Sequence, residues 1–259
     1  MKKRIVTIAL VIALLATCFA GTYAYLMDDD YVANTMTLGE VTIDQVEYER
    51  NAEGKLVDFT QNKPLYPAVN PSMEWADEPV TFSNYIDGAA KGGQKPFVEP
   101  NALDKFVFVK NTGKSDAFVR TLIAFEAGSK NQAEHDALIG ISYHDMTWTI
   151  GEQVYTTIDG ENYVVIEFVY TGREDDDDKN GILPKDEVTT ASLCQIYMAS
   201  FATNEDVKAL DGDNDGMYDV IALSQAVQAQ GFANAQTALD TAFGEVTAEK
   251  ATEWFEALN

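Results

Sequence analysis

The residues best suited to chemistry in this chain are carboxylates at alternate positions. Asp211-Gly212-Asp213-Asn214-Asp215-Gly216, followed by Asp219, has the spacing of the first half of an EF-hand loop. In such a loop the oxygens at alternate positions wrap one hard cation, because a glycine permits the sharp turn. Asp211, Asp213 and Asp215 stand at positions 1, 3 and 5, Gly216 at 6 and Asp219 at 9. Position 12 is Ala222, where a bidentate glutamate is required, and no helix is read entering the loop. The four aspartates are therefore candidate ligands for calcium. The alternative is a solvated turn that caps a following helix.

Other chemistry is sparse. His135 and His144 are the two histidines, and no His-Glu-x-x-His pair exists. A catalytic zinc takes three protein ligands, commonly histidines. No phosphate-binding Gly-Lys-Ser/Thr loop, Gly-x-Ser-x-Gly elbow or Cys-x-x-Cys pair occurs. Cys194, in the apolar run Ser192 to Met198, reads as a small buried hydrophobe. Catalysis is not the expected function. Arg120 lies inside an apolar run, so it needs a carboxylate or carbonyls as partners, and a structural ion pair is expected.

The elements that must position these residues are mostly strands. Phe106 to Val109 and Ala117 to Glu126 form the best strand pair, joined by the turn-rich Asn111-Thr112-Gly113-Lys114-Ser115-Asp116. The second arm is apolar almost throughout, which predicts a strand covered on both faces. Val41 and Ile43 change phase to Val46 and Tyr48, which a bulge would explain. Thr147 to Ile150, Gln153 to Ile158 and Tyr163 to Tyr170 read as three strands, the last two joined by the hairpin dipeptide Asp159-Gly160. Ala191 to Ala199 reads as another. A short helix is predicted over Ser129 to Leu138, capped by Ser129 with Ala133, Ala137 and Leu138 inward. Six of the seven prolines fall between Pro64 and Pro100, so 49–100 is read as an excursion over the core. Glu174 to Lys179 is a solvated acidic loop. Towards the end the period changes to that of helices: Ile221 to Gln230, then Ala235 to Phe243 stopped by Gly244, then a helix capped by Thr247 with Ala251, Trp254, Phe255 and Leu258 on one face.

The amino-terminal stretch has the order of a secretory signal. Lys2, Lys3 and Arg4 precede the apolar run Ile5 to Ala16, and small residues close it at Ala20, Gly21, Thr22 and Ala24. Cleavage between Ala24 and Tyr25 is expected. No charge falls between Ile5 and Met27, so a retained membrane span is one alternative. Lipidation at Cys18 is another, disfavoured because Thr17 stands where a smaller residue belongs.

Three stretches carry a family resemblance. Ala20 to Tyr25 followed by Thr37-Leu38-Gly39-Glu40-Val41-Thr42-Ile43, the Asn-Thr-Gly and Ala-Phe-Val-Arg-Thr of the central strand pair, and Ser224 to Phe232 with Ala238-Leu239-Asp240 and Ala242-Phe243-Gly244 resemble the TasA/camelysin family. The resemblance implies a leader cut by a SipW-type signal peptidase and a mainly β, jelly-roll-like antiparallel β sandwich, here with C-terminal α-helices. It implies an exported protein of the cell surface or biofilm matrix. Several members form fibres in which the mature amino-terminal segment of one subunit completes the sheet of the next. Camelysin-type members are associated with metalloprotease activity, which the histidine count here does not favour.

The expected organisation is a signal peptide over 1–24, a β-sandwich over 25–200 and an Asp-rich loop with helices over 201–259. The net charge of −24 disfavours nucleic acid and anionic lipid as partners, and favours solubility and divalent cations. The membrane is expected to be met only through the leader. The leading expectation is a secreted fibre or matrix subunit that self-associates by strand addition through Tyr25, Leu26, Met27, Tyr31, Val32 and Met36, with calcium as the candidate cofactor. A monomeric surface-anchored accessory protein is the runner-up, and a metalloprotease the third reading. Were the first strand already locked within its own sandwich, the polymer expectation would fail.

Overall fold

The computed structural model describes residues 27–30 (backbone only), 41–51, 55–61, 65, 103–172, 180–199 and 201–258. The cleavage pair Ala24 and Tyr25, the residues Leu26, Tyr31, Val32 and Met36, nearly all of the Pro-rich excursion and the acidic run at 174–179 lie outside the described residues.

The elements in chain order are β1 (Met27–Asp30), β2 (Ile43–Arg50), β3 (Leu56–Asp58), β4 (Leu103–Asn111), β5 (Ala117–Glu126), α1 (Gln132–Leu138), β6 (Ile139–Ser142), β7 (Trp148–Ile158), β8 (Glu161–Tyr170), β9 (Ile182–Leu183), β10 (Leu193–Met198), α2 (Asn204–Leu210), β11 (Val220–Gln228), α3 (Ala235–Phe243) and α4 (Ala248–Glu256). They form an antiparallel β sandwich. One sheet has the order β1-β11-β5-β8-β7, with β9 also on β5, and the other the order β3-β2-β4-β10-β6.

β5 is buried along its whole length, as its apolar run predicts. Val119, Ile123 and Phe125 join the core between the sheets. Leu122 and Ala124 face the opposite way, towards Ala251 and Phe255 of α4, and Phe118 packs with Ala238 and Leu239 of α3. The two C-terminal helices thus cover the outer face of the first sheet. Gly244 ends α3 at φ 102 and Thr247 caps α4, both at the expected places.

Arg120 points to that outer face and is fully buried. It donates from Nη1 to Glu167 at 3.1 Å and to Asp240 at 3.3 Å, from Nη2 to the Gly244 carbonyl at 3.1 Å, and from Nε to Gln225 Oε1 at 2.7 Å. Its guanidinium also lies 4.9 Å from the Trp254 ring. One buried cation therefore ties β5, β8 and β11 to both helices.

Several expectations need correction. Ile221 to Gln230 is not a helix: β11 pairs with β5 over Val220 to Gln228. Its Ala, Leu and Gln favour helix in isolation, but nine residues of ladder and burial on both faces outweigh that weak preference. Because β11 stands inside the first sheet, the sandwich does not end at 200. β4 and β5 are strands, yet they lie in different sheets, so the Asn111 turn crosses the sandwich instead of closing a hairpin. The Asn111 amide holds that crossing through the Ser115 and Leu183 carbonyls.

β2 has no bulge along β4. Ile43 enters the central core while Val46 and Tyr48 pack with Phe106 and Phe108 on the other face, so both faces are apolar. Two of the three predicted strands after Thr147 are one strand, β7, with its register shift between Ile150 and Gln153. α1 is capped by Asn131, not Ser129, and buries His135 and Leu138 while Ala133 and Ala137 face solvent. The Asp159-Gly160 turn has both residues at positive φ, 50 and 96, as a two-residue hairpin of the primed type requires.

Candidate functional site

The aspartate loop lies between α2 and β11. α2 is the entering helix that the sequence reading missed: seven residues, announced only by the capping box of Thr203 and Asp206. The element leaving the loop is a strand, not the expected helix. Inside the loop, Asn214 at φ 62 and Gly216 at φ 84 make the turn. Asp213 Oδ1 accepts from the Asp215 amide at 3.0 Å, Asp215 Oδ1 from the Met217 amide at 2.8 Å, and Asp211 Oδ2 from the Gly216 amide at 3.0 Å.

A carboxylate from elsewhere in the chain reaches the loop. Glu126, the last residue of β5, is 3 % exposed and brings a carboxylate oxygen into the loop. One oxygen each from Glu126, Asp211 and Asp213 lies within 4.8 Å of the others. Oxygens around one calcium at 2.3–2.6 Å stand up to about 5 Å apart, so the spacing suits such an ion. Asp211 Oδ1 is buried and has no hydrogen-bond partner, and a Cβ on Gly212 would run into Glu161 Oε2. The donor set is all oxygen, the chemistry of a hard cation. Asp215 and Asp219 do not belong to this group. No local spacing points to Glu126, because 85 or more residues separate it from the loop.

Glu126 also fixes the loop to the sheet. Its Oε1 accepts from the Gly212 amide at 2.5 Å and its Oε2 from the Asp219 amide at 3.0 Å. Its own amide donates to the Asp219 carbonyl at 3.0 Å, one residue before β11 begins. Burial pushes the Glu126 carboxyl up to about 7; the two backbone donors pull it down, and Asp219 and Asp213 push it further up. The geometry of this carboxylate is therefore linked to where β11 starts.

β11 uses one side for β5. On its other side β1 pairs with it antiparallel, Met27 opposite Val227 through Asp30 opposite Ser224. Met27 is the one predicted assembly residue among those described, and it pairs within its own chain. β1 covers four residues of a nine-residue strand. The side chain of Gln45, from the other sheet, reaches the Ala222 carbonyl at 3.1 Å. At the far edge of the same sheet α4 covers the end of β7: Thr252 Oγ1 donates to the Thr157 carbonyl at 2.8 Å, and Thr156 Oγ1 donates to the Ala248 carbonyl at 2.9 Å.

Neither histidine belongs to the acidic group of Glu126, Asp211 and Asp213. His135 is buried, with Nε2 2.9 Å from the Tyr218 hydroxyl and Nδ1 3.1 Å from Asp136, and burial lowers its pKa. His144 is buried with Nδ1 3.0 Å from Thr147 Oγ1. Cys194 is buried among Phe106, Phe108 and Ala191, and burial pushes its thiol up to about 12. Among the described residues no helix is long and apolar enough to cross a membrane. No family model, curated protein or solved structure matches the chain.

Proposed function

We propose that this chain is an exported structural subunit that assembles by exchange of its amino-terminal strand. β1 lies on the outer edge of β11 in its own chain, which counts against simple addition to a neighbour; that the edge accepts this segment is the observation that supports its exchange between copies. In the single chain that edge is filled by the chain's own segment. In an assembly the same segment fills the edge of a neighbour, and the backbone ladder is conserved in kind. Swapping an identical element between copies costs little, and a head-to-tail exchange that does not close makes a filament. The secretory order of the leader and the resemblance to the TasA/camelysin family support the same reading, including a jelly-roll winding of the two sheets and a place at the cell surface or in the matrix.

The aspartate loop adds control. Calcium held by Glu126, Asp211 and Asp213 would fix the loop that delivers Asp219 to the start of β11, so the acceptor strand is firmest when the ion is bound. Glu126 takes the role that position 12 fills in an EF-hand. The function is non-enzymatic in this reading.

The own-chain pairing of β1 favours a second reading, a self-completed monomer that serves as a surface accessory protein. Deletion of residues 25–37 from the exported protein separates the two. Loss of filaments seen by electron microscopy is the expected result, and filaments unchanged by the deletion overturn strand exchange.

A further inference from the structure

We propose that Glu161, at the start of β8, is a fourth carboxylate ligand of the cation held by Glu126, Asp211 and Asp213, so that one ion clamps the β7–β8 hairpin to the loop before β11. The inference rests on the reading that this group binds calcium. It adds a ligand that neither the loop's own spacing nor the end of β5 supplies.

The ladder puts these groups on one face. Glu126 of β5 stands opposite Tyr163 of β8. Glu161 precedes Tyr163 by two residues in β8, so its side chain leaves the strand on the same side. Burial, and then the charges of Asp219, Glu126, Asp213 and Glu161, push the Tyr163 phenol up, which places these acids around one ring. Gly212 lies between the two glutamates. A Cβ there would run into Glu161 Oε2 and stand 3.1 Å from Glu126 Oε1. Both oxygens therefore converge on one point beside the Gly212 backbone, and glycine leaves that point open.

Two observations besides the clustering point to a ligand. Asp211 Oδ2 is taken by the Gly216 amide at 3.0 Å, while Asp211 Oδ1 is buried with no hydrogen-bond partner. A buried carboxylate oxygen in that state is costly, and a cation beside it removes the cost. Among the described residues, no lysine, arginine or histidine pairs with Glu126, Asp211, Asp213 or Glu161. Like charges gathered without a counter-charge repel, and a divalent cation bridging them offsets the repulsion. Glu161 is not in the tight group of three. With no other partner to hold it, its side chain turns to the ion by rotation about its own bonds. Asp213 is exposed, so water completes the shell of about 6–8 oxygens that calcium takes.

The test uses terbium as the probe in the full chain, its luminescence excited through tyrosine and displaced by calcium. Glu161→Ala is expected to weaken terbium and calcium binding on the order of tenfold, and to add about one bound water, counted from luminescence lifetimes in H2O and D2O. Glu161→Gln, which keeps the volume of the side chain, is expected to weaken binding in the same direction. Asp159→Asn removes the same charge from the same hairpin and keeps its turn, because Asn-Gly suits that turn as Asp-Gly does. It is expected to leave affinity and water count at the wild-type level. A water count unchanged by Glu161→Ala, or a loss of affinity matched by Asp159→Asn, overturns the proposal, while calcium binding by the wild type keeps the site of three. A wild type that binds neither terbium nor calcium overturns the site and this ligand with it.

Discussion

Glu126→Gln is the perturbation that separates a metal-linked carboxylate from a structural one. In the folded chain the Glu126 carboxyl titrates at about 7, against 4.5 in the unfolded chain. Below 4.5 both states are protonated and the contribution of Glu126 is fully present. Between 4.5 and 7 the folded state keeps a proton that the unfolded chain has released, so stability falls as pH rises. Above 7 both are ionised and the loss is complete. A difference of about 2.5 units corresponds to on the order of 3 kcal/mol as an upper limit. Calcium binds the ionised carboxylate and offsets the loss on the alkaline side. Urea unfolding at about pH 5 and about pH 8, with chelator and with calcium, measures both effects. The wild type is expected to lose stability on the alkaline side in chelator and regain it with calcium. His135, lowered by burial, pulls the opposite way: it loses stability as pH falls. The comparison with Glu126→Gln removes that background. In the variant the alkaline loss and the calcium response both disappear. An alkaline slope that is the same in both proteins, or a calcium response that survives the substitution, refutes the reasoning.

Three further outcomes follow from the same structure. Arg120→Met takes the donors away from the buried Glu167 carboxylate and from the Gly244 carbonyl and is expected to cost ~3–5 kcal/mol in urea unfolding; adding Glu167→Gln recovers part of that loss. Thr252→Val opens the Thr157 carbonyl on the β7 edge, and is expected to cost about 1 kcal/mol and to increase sheet-edge association measured by light scattering. Cys194 is expected to react with iodoacetamide only in denaturant, because its thiol is buried and its pKa raised to about 12.

What could be read in the sequence was what local pattern decides. The unbroken apolar run of β5 announces a strand covered twice, and Arg120 within it announces its own counter-charges. Asp159-Gly160, Gly244 and Thr247 mark turns and helix ends because their roles are fixed by backbone geometry. The aspartate loop was legible for the same reason. What could not be read depends on partners distant in sequence. β11 looks helical until it is laid beside β5. The turn after Asn111 looks like a hairpin until its two arms are seen in different sheets. Glu126 looks like the end of a strand, and becomes a member of the acidic group only because β5 and β11 start and stop side by side. The entering helix α2 is two turns long and exposes most of its face, so periodicity is too short to reveal it.

Which copy of the chain supplies the strand on β11 decides whether subunits exchange strands. Protein carrying Met27→Cys is mixed with differently tagged protein carrying Val227→Cys, the mixture is allowed to assemble, and the disulfides are mapped. Strand exchange predicts a disulfide joining the two differently tagged chains, formed only in assembled material. Assembled material with no disulfide between the chains, while the double variant cross-links readily within one chain, contradicts it.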